Sequence, residues 1–511
     1  MPKPKSNFVV NLARIKFEQF WLWLLLAIMA FKVPSDPDLG WHLQNGYHTI
    51  ANWWPQQGDI YSWTMPNYPW VSHEWLTEVL MATINSLSGL WGLAICFAIV
   101  IAIIFWLAAG VTKSDRQYAP LIALIGLLAS WPILGSRPQM LTLLGIVVVL
   151  RLLFLWRETR NPHLLWWFPI VFAVWANLHA GFAGGFLVLA VFGFAEIIRH
   201  LLVRNPKIAD APVLQWREIL QLIGMAVVSL CATLVNPYGW KIYHELWMTL
   251  SQTAILDNIA EWLPVNLASQ SSLNLLLMLS IIIGVLCWNK FKVDYTKLLL
   301  AVVFWLVAIS SWRHLPLFAI VSLPLLAEQL TPILGYTLAS IFRYSATRVV
   351  LIMIIGLVGW WQIYQNQLTI SDPITYAQVN QLPYSAVQYL KTHPTPEKLF
   401  NEYNWGGYLI WQLPDTKVFI DGRMAIWKTS QVAIFSEFQK FMGNHTGTIV
   451  QALNQWDIDT VLVYPNRPIN AVLAQFPNTW QKVFADKQAI VWRRIVDVKS
   501  SVETEALLGD N

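Results

Sequence analysis

Long apolar stretches recur along most of this chain and constrain its fold more than any other feature. A helix needs about 20 apolar residues to cross the hydrocarbon core of a bilayer. Only 12% of the 511 residues are charged and 56% are hydrophobic, which excludes a soluble globular enzyme and a disordered chain. The sequence predicts an α-helical polytopic membrane protein with about 11 transmembrane helices, in the range 10–13. The predicted spans are residues 18–33, 90–111, 118–135, 139–157, 163–180, 182–203, 217–235, 272–289, 295–312, 314–330 and 348–365.

The distribution of lysine and arginine predicts which side of the membrane each loop faces. If the N-terminus is cytoplasmic and the spans alternate, eighteen of these residues lie on inner segments and four on outer ones. Such an excess marks the cytoplasmic side. The same bias predicts that residues 74–88, a doubtful further span, lie along the outer interface. Because no good cleavage site follows the first span, we expect an uncleaved anchor. The outer basic residues are Lys32, Arg137, Lys241 and Arg313.

The composition changes near Asp372 and indicates two domains. Residues 1–371 are predicted to form a multi-spanning membrane domain with a large first outer loop at 34–89. Residues 372–511 are predicted to form a soluble α/β domain, which an odd number of spans places outside the cytoplasm. In this domain KVFI and TVLVY have the length of strands, whereas SQVAIFSEFQKFMG and IVQALNQW have helical spacing.

The first outer loop opens with two closely spaced acids, Asp36 and Asp38. Pro37 favours an extended backbone at Asp36, and side chains two residues apart in an extended chain point the same way. The two carboxylates could therefore converge on one proton or one divalent cation. The alternative is that the acids cap an interfacial helix beginning at Leu39. The segment 34–75 also contains three histidines and nine aromatic residues but no Lys or Arg.

A further set of polar residues recurs at the outer ends of the predicted spans. Ionisable groups at membrane depth are functional candidates by default, and guanidinium is suited to phosphate. The alternative for each residue is that it forms a structural ion pair with one of the few outer carboxylates. For His179 the alternative is a core histidine whose hydrogen bonds are satisfied within the protein. The sequence has no GxxxxGK[ST], GxGxxG or GxSxG motif, so nothing indicates a soluble nucleotide site. The set comprises Arg137, Asn177, His179, Asn236, Glu261, Arg313 and His314.

Several motifs together resemble those of a known superfamily. They are DPDLGWHL, HEWL, RPQ, WANLHAGF, NPYG and FNEYNWGGYLIWQLPDTKVFIDGR. Over nearly the whole chain they resemble a group of bacterial membrane proteins. The first loop and its flanks are similar to the GT-C superfamily of membrane glycosyltransferases, which includes protein O-mannosyltransferases and the aminoarabinose transferases of lipid A. The resemblance implies a GT-C-like fold in the bacterial cytoplasmic (inner) membrane.

The resemblance also implies a reaction and roles for particular residues. A hexosyl or pentosyl unit would pass from a polyprenyl-phosphate carrier to an extracytoplasmic envelope glycan, lipid or protein, in a single inverting displacement. Asp36 or Asp38 would accept the proton of the acceptor hydroxyl, and Arg313 would stabilise the departing polyprenyl phosphate. Characterised transferases often carry a basic residue near the end of the first loop, where this chain has His73 and Glu74. With His42, these two are assigned to substrate or phosphate binding.

Two other functions remain open at this point. A transporter or flippase also needs many spans and a polar site, although the chain shows no pair of broken helices in matching halves. A non-catalytic GT-C-like scaffold for envelope assembly is the third reading. The expected partners are the lipid-linked sugar donor, the acceptor and the bilayer, without nucleic acid. We expect no dedicated metal site, and a divalent cation, Mg or Mn, is only a weak possibility at Asp36 and Asp38.

The C-terminal motif suggests a place for the acceptor. Trp405, Tyr408 and Trp411 would offer an aromatic surface suited to a sugar or to packing on the membrane part. Gly406 and Gly407 permit close approach of another chain segment. Asp421 ends a strand-like run and is followed by a turn and Arg423. The alternative is a structural turn with a local ion pair. We predict that this block packs over the first outer loop and helps to recognise the acceptor.

Overall fold

The computed structural model describes residues 17–111, 118–202, 212–251, 259–269, 272–341 and 345–495. Helices form most of the described chain. They are α1 (Phe17–Ala30), α2 (Leu39–Asn52), α3 (Trp75–Ala109), α4 (Ala119–Ser130), α5 (Gln139–Thr159), α6 (Trp167–Leu178), α7 (Phe182–Leu202), α8 (Trp216–Ala232), α9 (Lys241–Ser251), α10 (Leu273–Trp288), α11 (Tyr295–Ser310), α12 (Leu315–Ile341), α13 (Ser345–Ser371), α14 (Pro373–Val379), α15 (Tyr384–Lys391), α16 (Gly406–Gln412), α17 (Ile434–Met442), α18 (Thr446–Gln455) and α19 (Pro468–Leu473). Some basic residues used to predict the orientation lie outside the described residues: Lys3, Lys5, Arg14, Lys16, Lys113, Arg116, Arg204, Lys207 and Arg343.

The chain divides into two compact units. The first comprises residues 1–32, 94–236 and 260–366, and the second comprises residues 33–93, 237–259 and 367–511. The second unit thus combines the whole of the first outer loop with the C-terminal part of the sequence. The sequence analysis divided the chain between residues 371 and 372 into a membrane domain and a soluble domain. That division concerns location in the membrane instead of compactness, and it stays a prediction.

Apolar helices confirm the polytopic α-helical fold. Within the described residues, five helices are long and apolar enough to cross a membrane: Trp75–Ala109, Gln139–Thr159, Phe182–Leu202, Trp312–Leu334 and Ser345–Ser371. Shorter apolar helices of 10–17 residues accompany them at Gln19–Ala30, Ala119–Ser130, Pro162–Leu178, Leu273–Trp288 and Tyr295–Ser310. The exact number of spans and the cytoplasmic position of the N-terminus stay predictions.

Gly89 divides α3 into two helical parts. Its backbone angles, φ 60° and ψ −157°, are not helical, and glycine adopts a positive φ without the steric cost that a Cβ brings. The part before Gly89 corresponds to the segment 74–88 that the sequence analysis separated from the following span. Its predicted position along the outer interface stays a prediction.

Buried charges connect three helices of the first unit. Arg157 of α5 donates to Glu196 of α7 at 2.8 Å and pairs with Asp294, which caps the N-terminus of α11. Arg199 donates to the same oxygen of Glu196 at 2.9 Å. All four side chains are buried, and their two positive and two negative charges balance. We call these four residues the balanced group.

A four-stranded sheet lies in the second unit. Its strands are β1 (Leu399–Asn401), β2 (Thr460–Val463), β3 (Trp480–Ala485) and β4 (Ile490–Arg494), in the order β1-β2-β4-β3. The β1 and β2 strands are parallel, and the other pairs are antiparallel. A mixed sheet with short helices confirms the predicted C-terminal α/β character.

The predicted C-terminal elements are mostly confirmed. TVLVY forms β2, and the two segments with helical spacing form α17 and α18. The prediction for KVFI was wrong, because Val418 makes only an isolated bridge, to Ser62. The backbone N–H of Val418 donates to Tyr61 at 3.0 Å, and Trp63 donates back to Val418 at 3.2 Å. This run therefore pairs with the first outer loop instead of the sheet.

Candidate functional site

The paired acids precede α2 without capping it. The helix begins at Leu39, as the capping alternative expected, but the side chain of Asp38 in the cap position makes no hydrogen bond to the helix backbone. Instead the carboxylate of Asp38 accepts a hydrogen bond from the indole of Trp41, in the first turn of α2, at 2.9 Å. The carboxylate of Asp36 accepts from the backbone N–H of Asp38 at 3.0 Å.

The surroundings of Asp38 favour its protonated form. Burial and the charges of Asp36 and Asp421 raise the pKa of Asp38 to about 7, against the opposing effects of His42 and the Trp41 hydrogen bond. A carboxyl group with a pKa near the working pH is suited to general base catalysis. Of the two acids, Asp38 has the surroundings that this role requires.

Glycines allow the C-terminal block to approach the first outer loop closely. A Cβ on Gly40 would lie 2.0 Å from the carbonyl oxygen of Gly407, and one on Gly407 would lie 2.5 Å from that of Pro37. A Cβ on Gly422 would lie 1.9 Å from the Asp38 carboxylate. Side chains at these positions would push α2 and α16 apart, so the sequence needs glycine there. The block packs over the beginning of α2, as we predicted.

Arg423 of this block is held in the interior of the second unit. Its guanidinium donates to Asp421 at 2.7 and 2.8 Å and lies 2.9 Å from Asp59. The opposing charges of Asp421 and Asp59 outweigh the effect of burial and keep the pKa of Arg423 above its usual value. Aromatic rings surround the same group, with centroids at 4.7 Å for Trp70 and 5.1 Å for Trp427. The local ion pair that the structural alternative expected, between Asp421 and Arg423, is therefore present. Arg423 also pairs with Asp59 of the first outer loop.

The aromatic residues of the block are also buried. Trp405 is fully buried, donates from its indole to the carbonyl of Gln381 at 2.8 Å and packs against Tyr464. Tyr408 is buried as well. The part of Trp405, Tyr408, Asp421 and Arg423 in acceptor recognition stays a prediction.

His42, Glu74 and Glu78 form a second acidic group in this unit. The Nδ1 of His42 lies 3.1 Å from Glu78 Oε1 and 3.5 Å from Glu74 Oε2. Within the described residues, this group offers donor atoms close enough for one metal ion, all within 4.8 Å of one another. It contains neither Asp36 nor Asp38, where the sequence analysis placed its weak metal possibility. Burial lowers the pKa of His42, but the Glu78 hydrogen bond and the charge of Glu74 raise it to about 9.

His73 extends this acidic group. Its Nε2 lies 3.4 Å from the second oxygen of Glu74. Burial lowers the pKa of His73, but the hydrogen bond and charge of Glu74 and the charge of Glu245 on α9 outweigh it and raise the pKa. Sequence reasoning missed Glu78 and Glu245. The only signal for Glu78 was its spacing of four residues from Glu74, which puts both on one helical face.

Several predicted residues lie in the first unit at the ends of its helices. Arg137 pairs with Glu261, and the guanidinium of Arg313 lies 5.2 Å from the ring of Trp262. His314 contacts the same ring edge-on. The structure thus brings together Arg137, Glu261, Arg313 and His314 as one cluster.

Lys32 joins this cluster, although the sequence analysis did not select it. Its ammonium donates to the carbonyls of Trp131 and Leu134 at 3.0 and 2.7 Å, and its charge interacts with that of Arg137. With Arg313, three of the four outer basic residues are therefore gathered here. We call Lys32, Arg137 and Arg313 the cationic cluster.

His179 and the two asparagines make contacts typical of structural residues. The Nδ1 of His179 lies 2.8 Å from the hydroxyl of Thr142 and accepts from the N–H of Gly181 at 2.8 Å. Asn177 donates to backbone carbonyls at 2.7 and 2.8 Å, and Asn236 donates to one at 2.7 Å. The contacts of His179 Nδ1 are those of a buried core residue, and its predicted role in substrate binding stays a prediction.

Solved structures with a similar fold are known. No family model matches the sequence, and no curated protein matches it either. An oligosaccharyltransferase from Archaeoglobus fulgidus, tethered to an acceptor peptide, is 13% identical with a TM-score of 0.54, covering 88% of this chain and 69% of its own. The AglB oligosaccharyltransferase of the same organism, with an inhibitory peptide and a dolichol-phosphate, is 14% identical, with a TM-score of 0.51 and coverages of 88% and 70%.

A bacterial structure matches over a larger share of both chains. ArnT from Cupriavidus metallidurans, bound to undecaprenyl phosphate, is 12% identical with a TM-score of 0.50, and the match covers 94% of this chain and 98% of that one. These proteins are GT-C glycosyltransferases. Identities this low show a common fold and no more. The apolar helices, the C-terminal sheet and these matches establish that this chain is an integral membrane protein with the GT-C fold.

Proposed function

We propose that this protein is a glycosyltransferase that moves a sugar from a polyprenyl-phosphate carrier to an acceptor outside the cytoplasmic membrane. The observation that carries the proposal is Asp38, a carboxyl group whose pKa is raised to about 7, next to Asp36 at the start of α2. The fold gives independent support, because structures that share it contain dolichol-phosphate or undecaprenyl phosphate. The acceptor is an envelope glycan, a lipid or a protein.

The proposed reaction is a single displacement at the anomeric carbon. The carboxylate of Asp38 removes the proton from the acceptor hydroxyl. At the same time the oxygen of that hydroxyl forms a bond to the anomeric carbon. The bond from that carbon to the phosphate oxygen breaks, and polyprenyl phosphate leaves with the electron pair. The configuration at the anomeric carbon is inverted. Asp36 contributes by holding the backbone of Asp38 and by raising its pKa.

Negative charge develops on the departing phosphate, and the resemblance implies that Arg313 stabilises it. Lys32, Arg137 and Arg313 carry three positive charges, against one negative charge on Glu261. Hydrogen-bond donors and positive charges that lie where negative charge develops stabilise the transition state and so lower the activation barrier. We assign phosphate binding to this cluster, with Arg313 as the main contact because its guanidinium is not paired with Glu261 in the described contacts.

The direct test is a transfer assay with the reconstituted full-length protein and a labelled polyprenyl-phosphate sugar. We expect Asp38→Asn to lower the transfer rate about 100-fold to 10,000-fold, as loss of a general base does. Asp415→Asn, at an exposed position of the same unit, is the matched control and should retain wild-type rates. Full transfer by both Asp36→Asn and Asp38→Asn would refute the catalytic assignment. Movement of intact lipid-linked sugar across the bilayer without transfer would instead indicate a flippase.

A further inference from the structure

Two helical segments place three metal-binding side chains together in the interior of the second unit. His42 lies one turn into α2, Glu74 directly precedes α3, and Glu78 follows one turn later. The exposed fractions of these residues are 3%, 5% and 0%. Because Glu74 and Glu78 are four residues apart, they lie on the same helical face and both reach His42.

The donor atoms of these three residues meet inside the protein. Each residue offers one ligand atom, and the three atoms all lie within 4.8 Å of one another. Imidazole nitrogen and carboxylate oxygen are both ligands of zinc. The geometry of the group therefore suits one bound cation.

A second and independent feature is the amide of Asn45. Its Nδ2 donates to Glu78 and, at 2.9 Å, to the hydroxyl of Ser72. Its carbonyl oxygen Oδ1 is buried and has no hydrogen-bond partner among the residues that the structure describes. Buried polar atoms without a partner are rare in folded proteins. Asn45 lies one turn after His42 on α2, so this oxygen is a further donor on the same helical face.

The side chains around the group hold its donor atoms in position. Ser72 donates to Glu78 Oε2 at 2.7 Å, which leaves Oε1 directed at His42. His73 lies against the other oxygen of Glu74, which leaves Oε2 directed at His42. Such outer contacts are typical of carboxylates that bind metals.

We propose that His42, Glu74 and Glu78 bind one divalent transition-metal ion of the zinc class. One imidazole nitrogen and two carboxylate oxygens suit zinc, whereas magnesium and calcium prefer oxygen donors alone. Three protein ligands leave a fourth position for water or for Asn45 Oδ1. The ion would join α2 to the start of α3 and so fix the helix whose first residue follows Asp38. This proposal does not depend on the proposed function.

The test uses full-length protein in detergent, stripped with a chelator and titrated with Co²⁺, a spectroscopic substitute for Zn²⁺. Wild type is expected to bind one equivalent with visible absorption, and Zn²⁺ should displace it. His42→Ala should bind at least about 100-fold more weakly, and Ser72→Ala about 10-fold to 100-fold more weakly. The control His445→Ala, which removes an exposed histidine of the same unit, should bind as wild type does.

A second variant separates metal binding from a purely structural role of the imidazole. His42→Cys should still bind Co²⁺ and should add the absorption band of a cobalt-thiolate bond. That band identifies residue 42 as a ligand even if His42→Ala does not fold. Absence of saturable Co²⁺ binding in wild type, or of the thiolate band in a folded His42→Cys protein, would overturn the proposal. Because none of these measurements involves a sugar donor, a failure of the glycosyltransferase assignment would leave them unaffected.

Discussion

The two units of this protein treat buried charge in opposite ways. In the first unit Arg157, Arg199, Glu196 and Asp294 form the balanced group, with every charge opposed by another. In the second unit the carboxylates of Glu74 and Glu78 face imidazoles instead of arginines, with His42 close to both and His73 close to Glu74. Both groups are buried, so the difference does not come from access to water.

This difference indicates what each group is for. A balanced ion group needs nothing from outside the protein and can serve only to fix helices against one another. A group of carboxylates and imidazoles offers ligand atoms for a metal ion, and an ion that binds there stabilises the folded protein. The nearby Asp38 also lies among carboxylates, because burial and the charges of Asp36 and Asp421 raise its pKa. The comparison therefore favours the second unit for the proposed metal binding and base catalysis.

The largest expected effect comes from breaking the balanced group. Arg157→Met leaves Asp294 buried without its arginine partner and two carboxylates with one arginine, which should lower the free energy of unfolding by about 3–5 kcal/mol. Pulse proteolysis in detergent would measure it. Arg160→Met is the control, because Arg160 pairs with Glu218 at a partly exposed position, where about 0–1 kcal/mol is expected. Equal losses in the two variants would remove the distinction between the buried group and an ordinary ion pair.

The next effect is stabilisation of the second unit by metal. At a free Zn²⁺ concentration 100 times the dissociation constant, one site should add about 2.7 kcal/mol to the free energy of unfolding. The gain should appear in wild type and vanish in His42→Ala, whose balanced group is unchanged. A similar gain in both proteins would mean that zinc acts elsewhere.

The third prediction uses the raised pKa of Asp38. A general base must be ionised, so kcat/KM for transfer should rise with pH and level off above a pKa of about 7. Below that value it should fall about tenfold per pH unit. In Asp36→Asn the loss of a neighbouring negative charge should shift this midpoint to lower pH. An unchanged midpoint in that variant would show that another group controls the profile.

The smallest effect is expected from Glu74→Gln. Without metal Glu78 remains opposite His42, and the amide oxygen of Gln can still accept from His73, so the free energy of unfolding should change by less than about 1 kcal/mol. The same variant should lose the stabilisation by Zn²⁺. A loss as large as that of Arg157→Met would show that both groups are structural.

The sequence predicted the parts of this structure that depend on local pattern. Apolar length indicated the membrane helices, and helical spacing indicated α17 and α18. The start of α2 at Leu39 followed from the preceding Asp-Pro-Asp pattern. Local pattern did not predict the partner of KVFI, because the backbone of this run pairs with the first outer loop at Tyr61 and Trp63. Sequence periodicity carries no information on which distant segment a short apolar run will meet.

The candidate site shows the same limit. Asp38, His42 and Glu74 were selected because their residue types are unusual in an apolar chain. Glu78 was missed because the segment after Glu74 was interpreted mainly as an interfacial helix. Lys32 was missed because its relation to Arg137 depends on the packing of α1 against α4. Gly422 contributes through its lack of a side chain beside Asp38, which only the folded structure shows.

The central claim is that this protein consumes a polyprenyl-phosphate sugar with Asp38 as the base, and a deletion strain tests it most directly. Mass spectrometry of membrane lipids should show one polyprenyl-phosphate sugar accumulating when the gene is deleted. Restoring the wild-type protein should remove that lipid, whereas Asp38→Asn, produced at the same level, should leave it in place. If no lipid-linked sugar accumulates, or if Asp38→Asn clears it as wild type does, the account is contradicted.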